Sequence, residues 1–345
     1  MPSQLLKFLK KRKDNYIRNW KEQENLEKYG GVAFILLFIG MIIFLKGEAR
    51  ARIPVYVNIL SIFYLTLVLK RIKKTKRELS EKNKEIAFQK QLIEEHQKET
   101  IDSITYAKRI QDAILPPTDL ITAKLPGTFV LYKPKDIVAG DFYWMEQIND
   151  TILIAAADCT GHGVPGALVS VVCSNALNRA VKEFHFSDTG AILDKVTDLV
   201  IETFEKSAAE VQDGMDISML SINKVTQQIQ WSGANNPLWY FQDSELKEIT
   251  ADKQPVGKSS HRKPFTTHSI EYKAGTTFYL FTDGYADQFG GPKGKKFKYK
   301  HLQQTLSAIL DKGSSEQQTT LNTTFENWKG DLEQIDDICI IGIRL

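Results

Sequence analysis

The chain has 345 residues, enough for one sizeable domain with additional segments or for two modest domains. Apolar residues make up 42% and charged residues 25%, ordinary for a chain that buries a core, and a net charge of +3 gives no global reason to expect a nucleic-acid partner. Three cysteines, Cys159, Cys173 and Cys339, are too few and too scattered for a disulfide framework or a zinc cluster, and unpaired thiols fit a reducing compartment.

Residues 1–30 are mostly polar and basic. Two uncharged apolar runs follow, VAFILLFIGMIIFL from Val32 to Leu45 and IPVYVNILSIFYLTLVL from Ile53 to Leu69. At a helical rise of about 1.5 Å per residue, each stands near the short end of what crosses a hydrocarbon core of roughly 30 Å. The connection from Lys46 to Arg52 is too short for a domain, so residues 31–69 are expected to form a hairpin of two transmembrane helices, about 32–46 and 53–69. Lys10, Lys11, Arg12 and Lys13 precede the pair, and Lys70, Arg71, Lys73, Lys74 and Lys76 follow it. This bias predicts a multi-pass protein of the cell (inner) membrane, in contact with lipid and with both flanks in the cytoplasm. Arg50 and Arg52 in the connection run against it.

From Lys70 to Leu115 the chain is highly charged and has no glycine or proline, the composition of a long helix. Ile72, Leu79, Ile86 and Ile93 recur every seventh residue, and Ala107 and Ile114 keep the register. The companion seam positions hold Thr75, Lys82, Gln89 and His96, so half the seam is polar. Residues 70–115 therefore read as a stalk, either a switchable parallel coiled coil that makes a homodimer or a single solvated helix. Pro116 and Pro117 end it.

Beyond Gly127 short apolar runs separated by turns predict strands at Thr128–Lys133, Asp141–Ile148, Thr151–Ala157, Ile217–Ile222, Gln228–Trp231, Leu238–Phe241, Thr276–Phe281 and Ile338–Ile343. Helices are expected near Val164–Glu183, Ala191–Ala209 and Ser314–Trp328. This order describes an α+β domain with helices outside antiparallel sheets. Its acids stand at strand ends beside glycines: Asp141 after Gly140, Asp158 after the run 152–157, Asp283 after the run 278–282, and Asp336 and Asp337 before Ile338. A carboxylate at the end of a buried strand is costly unless paired or bound to metal. A turn-forming Asp explains any one of them; four together suggest acids gathered round hard cations, which prefer oxygen ligands.

These residues resemble the SpoIIE-type branch of the metal-dependent, protein phosphatase 2C-like Ser/Thr phosphatases. The likeness runs from about Gln111 to Leu345, with Arg109-Ile-Gln-Asp-Ala-Ile-Leu-Pro-Pro117 at its entrance. Its markers stand in family order: Gly140-Asp141-Phe-Tyr, Asp158-Cys-Thr-Gly-His-Gly163 with Pro165-Gly166-Ala167, Gly233-Ala-Asn-Asn-Pro237, Thr282-Asp283-Gly284 and Asp336-Asp337. The resemblance implies that residues 116–345 form an antiparallel β-sandwich flanked by helices, with two Mn²⁺ or Mg²⁺ ions at one end. It implies that Asp158 bridges both ions, that the Cys159 backbone carbonyl binds the second, that Asp283 and Asp336 bind the first, and that Asp141 orients the attacking water. Asp216 matches a further acid of this branch, and Asp337 is not expected to be a ligand. Eukaryotic relatives carry a histidine two residues after the bridging acid; here Thr160 stands there, and His162 is either a leaving-group acid or a structural residue of the turn. Gly161 and Gly163 are expected to allow a tight strand-to-helix turn, and Gly284 to do the same after Asp283. The basic stretch Gly290 to Lys300 either meets an acidic or phosphorylated partner or is simply solvated.

The implied activity is hydrolysis of phosphoserine or phosphothreonine on a cytoplasmic regulatory protein; many relatives act on phosphorylated anti-sigma-factor antagonists. An inactive scaffold that holds a phosphoprotein is the alternative. A membrane-tethered nucleotide cyclase would use similar acids, but no phosphate-cradling Gly-rich loop is present.

Overall fold

The computed structural model describes residues 53–205 and 213–345, together with Leu36, Ile39 and Ile43. The basic segment 1–30 and the first apolar run with its hairpin connection thus lie outside the described residues, those three positions excepted. The chain divides into two compact units, 1–94 and 95–345.

The first unit contains most of helix α1, Ile53–Asp112, which runs without a break through the second apolar segment and the charged stalk. Val55, Ile59, Ile62, Phe63, Leu65, Leu67 and Leu69 are exposed, although nearly every one is a residue type that proteins in water bury. The heptad residues Ile72, Leu79, Ile86 and Ile93 are exposed too. By length and composition α1 is apolar enough to cross a membrane.

In the second unit α1 stops at Asp112, three residues earlier than expected, and the turn 113–115 carries the chain to Pro116 and Pro117. The remaining elements, in chain order, are α2 (Thr118–Lys124), β1 (Thr128–Lys133), β2 (Phe142–Ile148), β3 (Thr151–Cys159), α3 (Gly163–Lys182), α4 (Thr189–Glu205), β4 (Met215–Asn223), β5 (Ile229–Ala234), β6 (Leu238–Gln242), β7 (Glu245–Ile249), β8 (His268–Ile270), β9 (Thr277–Phe281), α5 (Gly284–Asp287), β10 (Phe289–Gly290), β11 (Lys295–Lys296), α6 (Lys298–Ala308), α7 (Ser314–Lys329) and β12 (Ile338–Arg344). The expected extension of α4 to Ala209 lies outside the described residues.

Two five-stranded antiparallel sheets, in orders β1-β12-β9-β6-β7 and β2-β3-β4-β5-β8, form a sandwich. Strand alternation explains the layering. On β3, Ile152, Ile154 and Ala156 face the other sheet and meet Phe278, Leu280, Cys339 and Ile341, while Leu153, Ala155 and Ala157 face outward against Cys173, Leu177, Ile192 and Val196 of α3 and α4. On the opposite side Tyr279, Phe281, Ile338 and Ile340 pack against Leu302, Leu306, Leu321 and Phe325 of α6 and α7. Both faces of each sheet are therefore covered, which is why the strands read as near-continuous apolar runs. The antiparallel α+β architecture holds. Beyond the expected elements it adds β7, β8, α5, the small β10–β11 hairpin and α6, so that the basic stretch 290–300 is partly ordered structure.

Candidate metal centre

Pairing places the strand-end acids at one end of the sandwich. Asp158, the penultimate residue of β3, lies directly across from Asp216 at the start of β4. Phe142 pairs with Ala157, which sets Asp141, just before β2, beside them. In the other sheet Phe281 pairs with Ile340, so Asp283 and Asp336 flank the same end.

Two contacts join the sheets there. The Thr282 hydroxyl donates to Asp141 Oδ2 at 2.6 Å and accepts from the Cys339 N–H at 2.9 Å. Asp337, which is buried, accepts the Lys135 and Gly140 N–H groups, each at 2.7 Å. Asp337 is thus a clamp on the loop that delivers Asp141, with both oxygens engaged by backbone. Neither role was assigned to these residues from sequence. The signal for Thr282 was its place beside Asp283 within a marker motif.

The electrostatics follow from crowding carboxyls in a half-buried space. Burial, and then the charges of Asp283, Asp336 and Asp216, push the Asp158 pKa up to about 8. Asp283 is raised to about 6 by burial and then by Asp336 and Asp287. Burial and the neighbouring Asp158 hold Asp141 well above the usual carboxylate range, against the opposing Thr282 bond, and Asp141 shares a hydrogen bond with Asp158. Asp216 is raised by burial and partly restored by the Asn235 side-chain amide, which donates to it at 2.8 Å. Asn235, inside the Gly233–Pro237 motif, is held in the left-handed region with φ of 55°.

The glycines separate into two kinds. Gly161 and Gly163, at φ of 86° and 62°, make the expected turn from β3 into α3. Gly284, however, is required for close approach rather than for a turn: a Cβ there would stand 2.0 Å from the Asp337 carbonyl oxygen. Gly140 similarly lets backbone pass, since its Cβ would lie 2.3 Å from the Gly161 carbonyl oxygen and 3.2 Å from that of Cys159. His162 caps α3 from an exposed position, with Nδ1 at 3.4 Å from Asp136.

The donor set fits hard divalent cations: carboxylates, a backbone carbonyl and tight backbone turns, with the buried Cys159 and Cys339 thiols held protonated by burial. The acids share one electrostatic field but do not form a closed shell. Among the described residues no three carboxylate, imidazole or thiol groups are close enough to hold an ion as they stand. Mutual repulsion keeps such groups apart or protonated until positive charge arrives.

Comparison with known proteins accords with this geometry. The two-sheet sandwich flanked by helices is the PP2C-type phosphatase architecture. It is similar to the SiaA-PP2C domain of Pseudomonas aeruginosa, with 31% identity and a TM-score of 0.66 over 72% of this chain and 98% of that one. It also resembles the PP2C phosphatase domain and regulatory-domain fragment of SpoIIE from Bacillus subtilis, at 16% identity and a TM-score of 0.51 over 63% of this chain and 62% of that one. A family profile for Stage II sporulation protein E (SpoIIE) matches residues 149–345, while no curated protein gave a match. The chain belongs to the SpoIIE family, and it is a protein serine/threonine phosphatase.

Proposed function

We propose that the phosphatase is metal-dependent and membrane-anchored, and that it acts on phosphoserine or phosphothreonine of a cytoplasmic regulatory protein. The observation that carries the metal reading is the gathering of Asp141, Asp158, Asp216, Asp283 and Asp336 at one end of the sandwich. Burial and like charge hold Asp158 far above its ordinary pKa. Such repulsion is relieved by protons or by cations, and at neutral pH and above divalent cations relieve it best. In this reading Asp158 would be shared by two Mn²⁺ or Mg²⁺ ions, Asp283 and Asp336 would help to hold the first and the Cys159 carbonyl the second, and Asp216 would supplement them. When bound, such ions supply Lewis-acid charge for the phosphoryl oxygens and make water more acidic.

The chain's own residues do the positioning. Asp141, steadied by Thr282 and by the Asp337 clamp, orients the attacking water. His162, with Nδ1 at 3.4 Å from Asp136, is the candidate to protonate the leaving oxygen. Neither Cys159 nor a serine has to act as nucleophile. Membrane anchoring rests on the exposed apolar start of α1, which lipid would cover. Homodimerisation rests on the exposed heptad residues of the stalk. A partner resembling an anti-sigma-factor antagonist is an expectation drawn from the family alone.

The test is release of phosphate from a phosphoserine peptide by the full chain in detergent, with and without Mn²⁺. Turnover is expected only with metal, and Asp158→Asn is expected to lower it by about 10³-fold, in line with the loss of charge stabilisation at the transition state. Equal turnover in EDTA, or an Asp158→Asn variant as fast as the parent, would sink the metal reading.

A further inference from the structure

Tyr299 is a side chain that the reading above does not use. It lies in the first turn of α6, and its ring is fixed from one side by two aromatics: Trp239 edge-on at 5.8 Å and Phe281 at 6.0 Å. Those two rest on each other at 4.4 Å, and the Trp239 indole N–H is anchored to Glu248 at 2.9 Å, so the platform is rigid. Phe281 is the last residue of β9, two positions before Asp283.

The chain reaches Tyr299 by a constrained route. Lys296 of the β10–β11 hairpin is paired with Asp287 of α5 at 2.7 Å, and the buried Phe297 donates its N–H to the Gln288 carbonyl at 2.9 Å. Lys298 then takes a left-handed backbone with φ of 70°, a conformation that costs about 1–2 kcal/mol in a residue with a Cβ. The turn separates Phe297, which sinks between Tyr285 and Trp328, from Tyr299, which stays 40% exposed. The Tyr299 hydroxyl has no hydrogen-bond partner among the described residues. Burial, and then the charges of Asp283, Asp287 and Asp158, raise its pKa above the ordinary tyrosine value. The phenol rests on Phe281, two residues before Asp283, and no described residue accepts from its O–H, whereas a phosphoryl group bound at the acidic end would present several acceptors. Lys296, a cation that acts on Asp283, is already engaged by Asp287.

We propose that the Tyr299 hydroxyl donates a hydrogen bond to the phosphoryl group of the bound substrate and so acts as a positioning residue of the phosphatase site. The inference rests on the metal-dependent reading of the acidic end, and its test separates the two. Tyr299→Phe keeps the ring and its packing and removes only the O–H. Two quantities are read on the full chain in detergent with saturating Mg²⁺: kcat/KM on a phosphoserine peptide, and the affinity for inorganic phosphate by calorimetric titration. One lost bond to an anionic oxygen is expected to lower both by about tenfold, with the Mg²⁺ half-saturation and the melting temperature unchanged. Equal phosphate affinity in the Tyr and Phe chains overturns the proposal, as does a failure of both chains to take up phosphate. A parent chain that binds phosphate without turnover would count against the metal-dependent reading and leave the titration to decide Tyr299. A fall in melting temperature or in Mg²⁺ affinity that accounts for the whole effect would show the hydroxyl to be structural.

Discussion

Asp158 shows how a single side chain can store the requirement for a ligand. A carboxyl whose pKa is raised in the folded chain keeps its proton to higher pH there than when unfolded. Between roughly pH 4, the ordinary Asp value, and the raised values of about 6 for Asp283 and about 8 for Asp158, the folded metal-free chain binds more protons than the unfolded one. Stability must then fall as pH rises through that window. The chain in EDTA is expected to melt at a lower temperature at pH 8 than at pH 5, and Mn²⁺ should erase most of the difference. Asp158→Asn should flatten the EDTA profile even without metal. A melting temperature that stays level or climbs from pH 5 to pH 8 in EDTA would refute the argument. The acids could be found in the sequence because each stands at one end of an apolar run, Asp141 just after Gly140 and Asp283 just before Gly284. Their supports could not: Thr282, Asn235 and the clamp made by Asp337 depend on contacts between residues as many as 202 positions apart.

At the level of elements, the end of α1 is fastened to the catalytic domain by one amide. Gln111 is buried; its side chain donates to the Ala139 carbonyl at 2.6 Å and to the Ser170 hydroxyl at 3.0 Å, and it accepts the Ala139 N–H at 3.0 Å. Ala139 leads directly into Gly140 and Asp141, and Ser170 belongs to α3, so this helix end touches two elements that shape the acidic site. Gln111→Ala would strand the N–H and C=O of Ala139 in a buried position and should lower the unfolding free energy by about 3 kcal/mol. Urea titration would measure it, and a midpoint unchanged from the parent would exclude the fastening role. The boundaries of β1 and of α7 could be read almost to the residue, since Gly127 and the Gly313 and Gly330 flanks punctuate long patterned runs. Strands β7 and β8 and helix α6 were missed for a physical reason. Edge strands with exposed faces, such as Glu245–Ile249, lack the apolar alternation of a core strand, and α6 opens in a run of lysines that reads as a solvated loop.

For the molecule as a whole, the exposed apolar surface of α1 and its exposed heptad residues argue for lipid on one stretch and a second copy on the next. The full chain is expected to stay with the membrane fraction after alkaline extraction, and to give twice the subunit mass in lipid nanodiscs. Release into the soluble fraction would remove the anchor, and a single-copy mass would remove the dimer. The sheet order carries a different consequence, for biosynthesis. Strand β12 is the last to leave the ribosome among those described, yet it sits inside its sheet, between β1 and β9. Until it emerges, β1 waits with an open edge across some two hundred residues of translation, and neither Asp336 nor the Asp337 clamp exists. A nascent chain stalled before residue 338 lacks the strand that joins β1 to β9 and is expected to be both inactive and sticky, a client for chaperones.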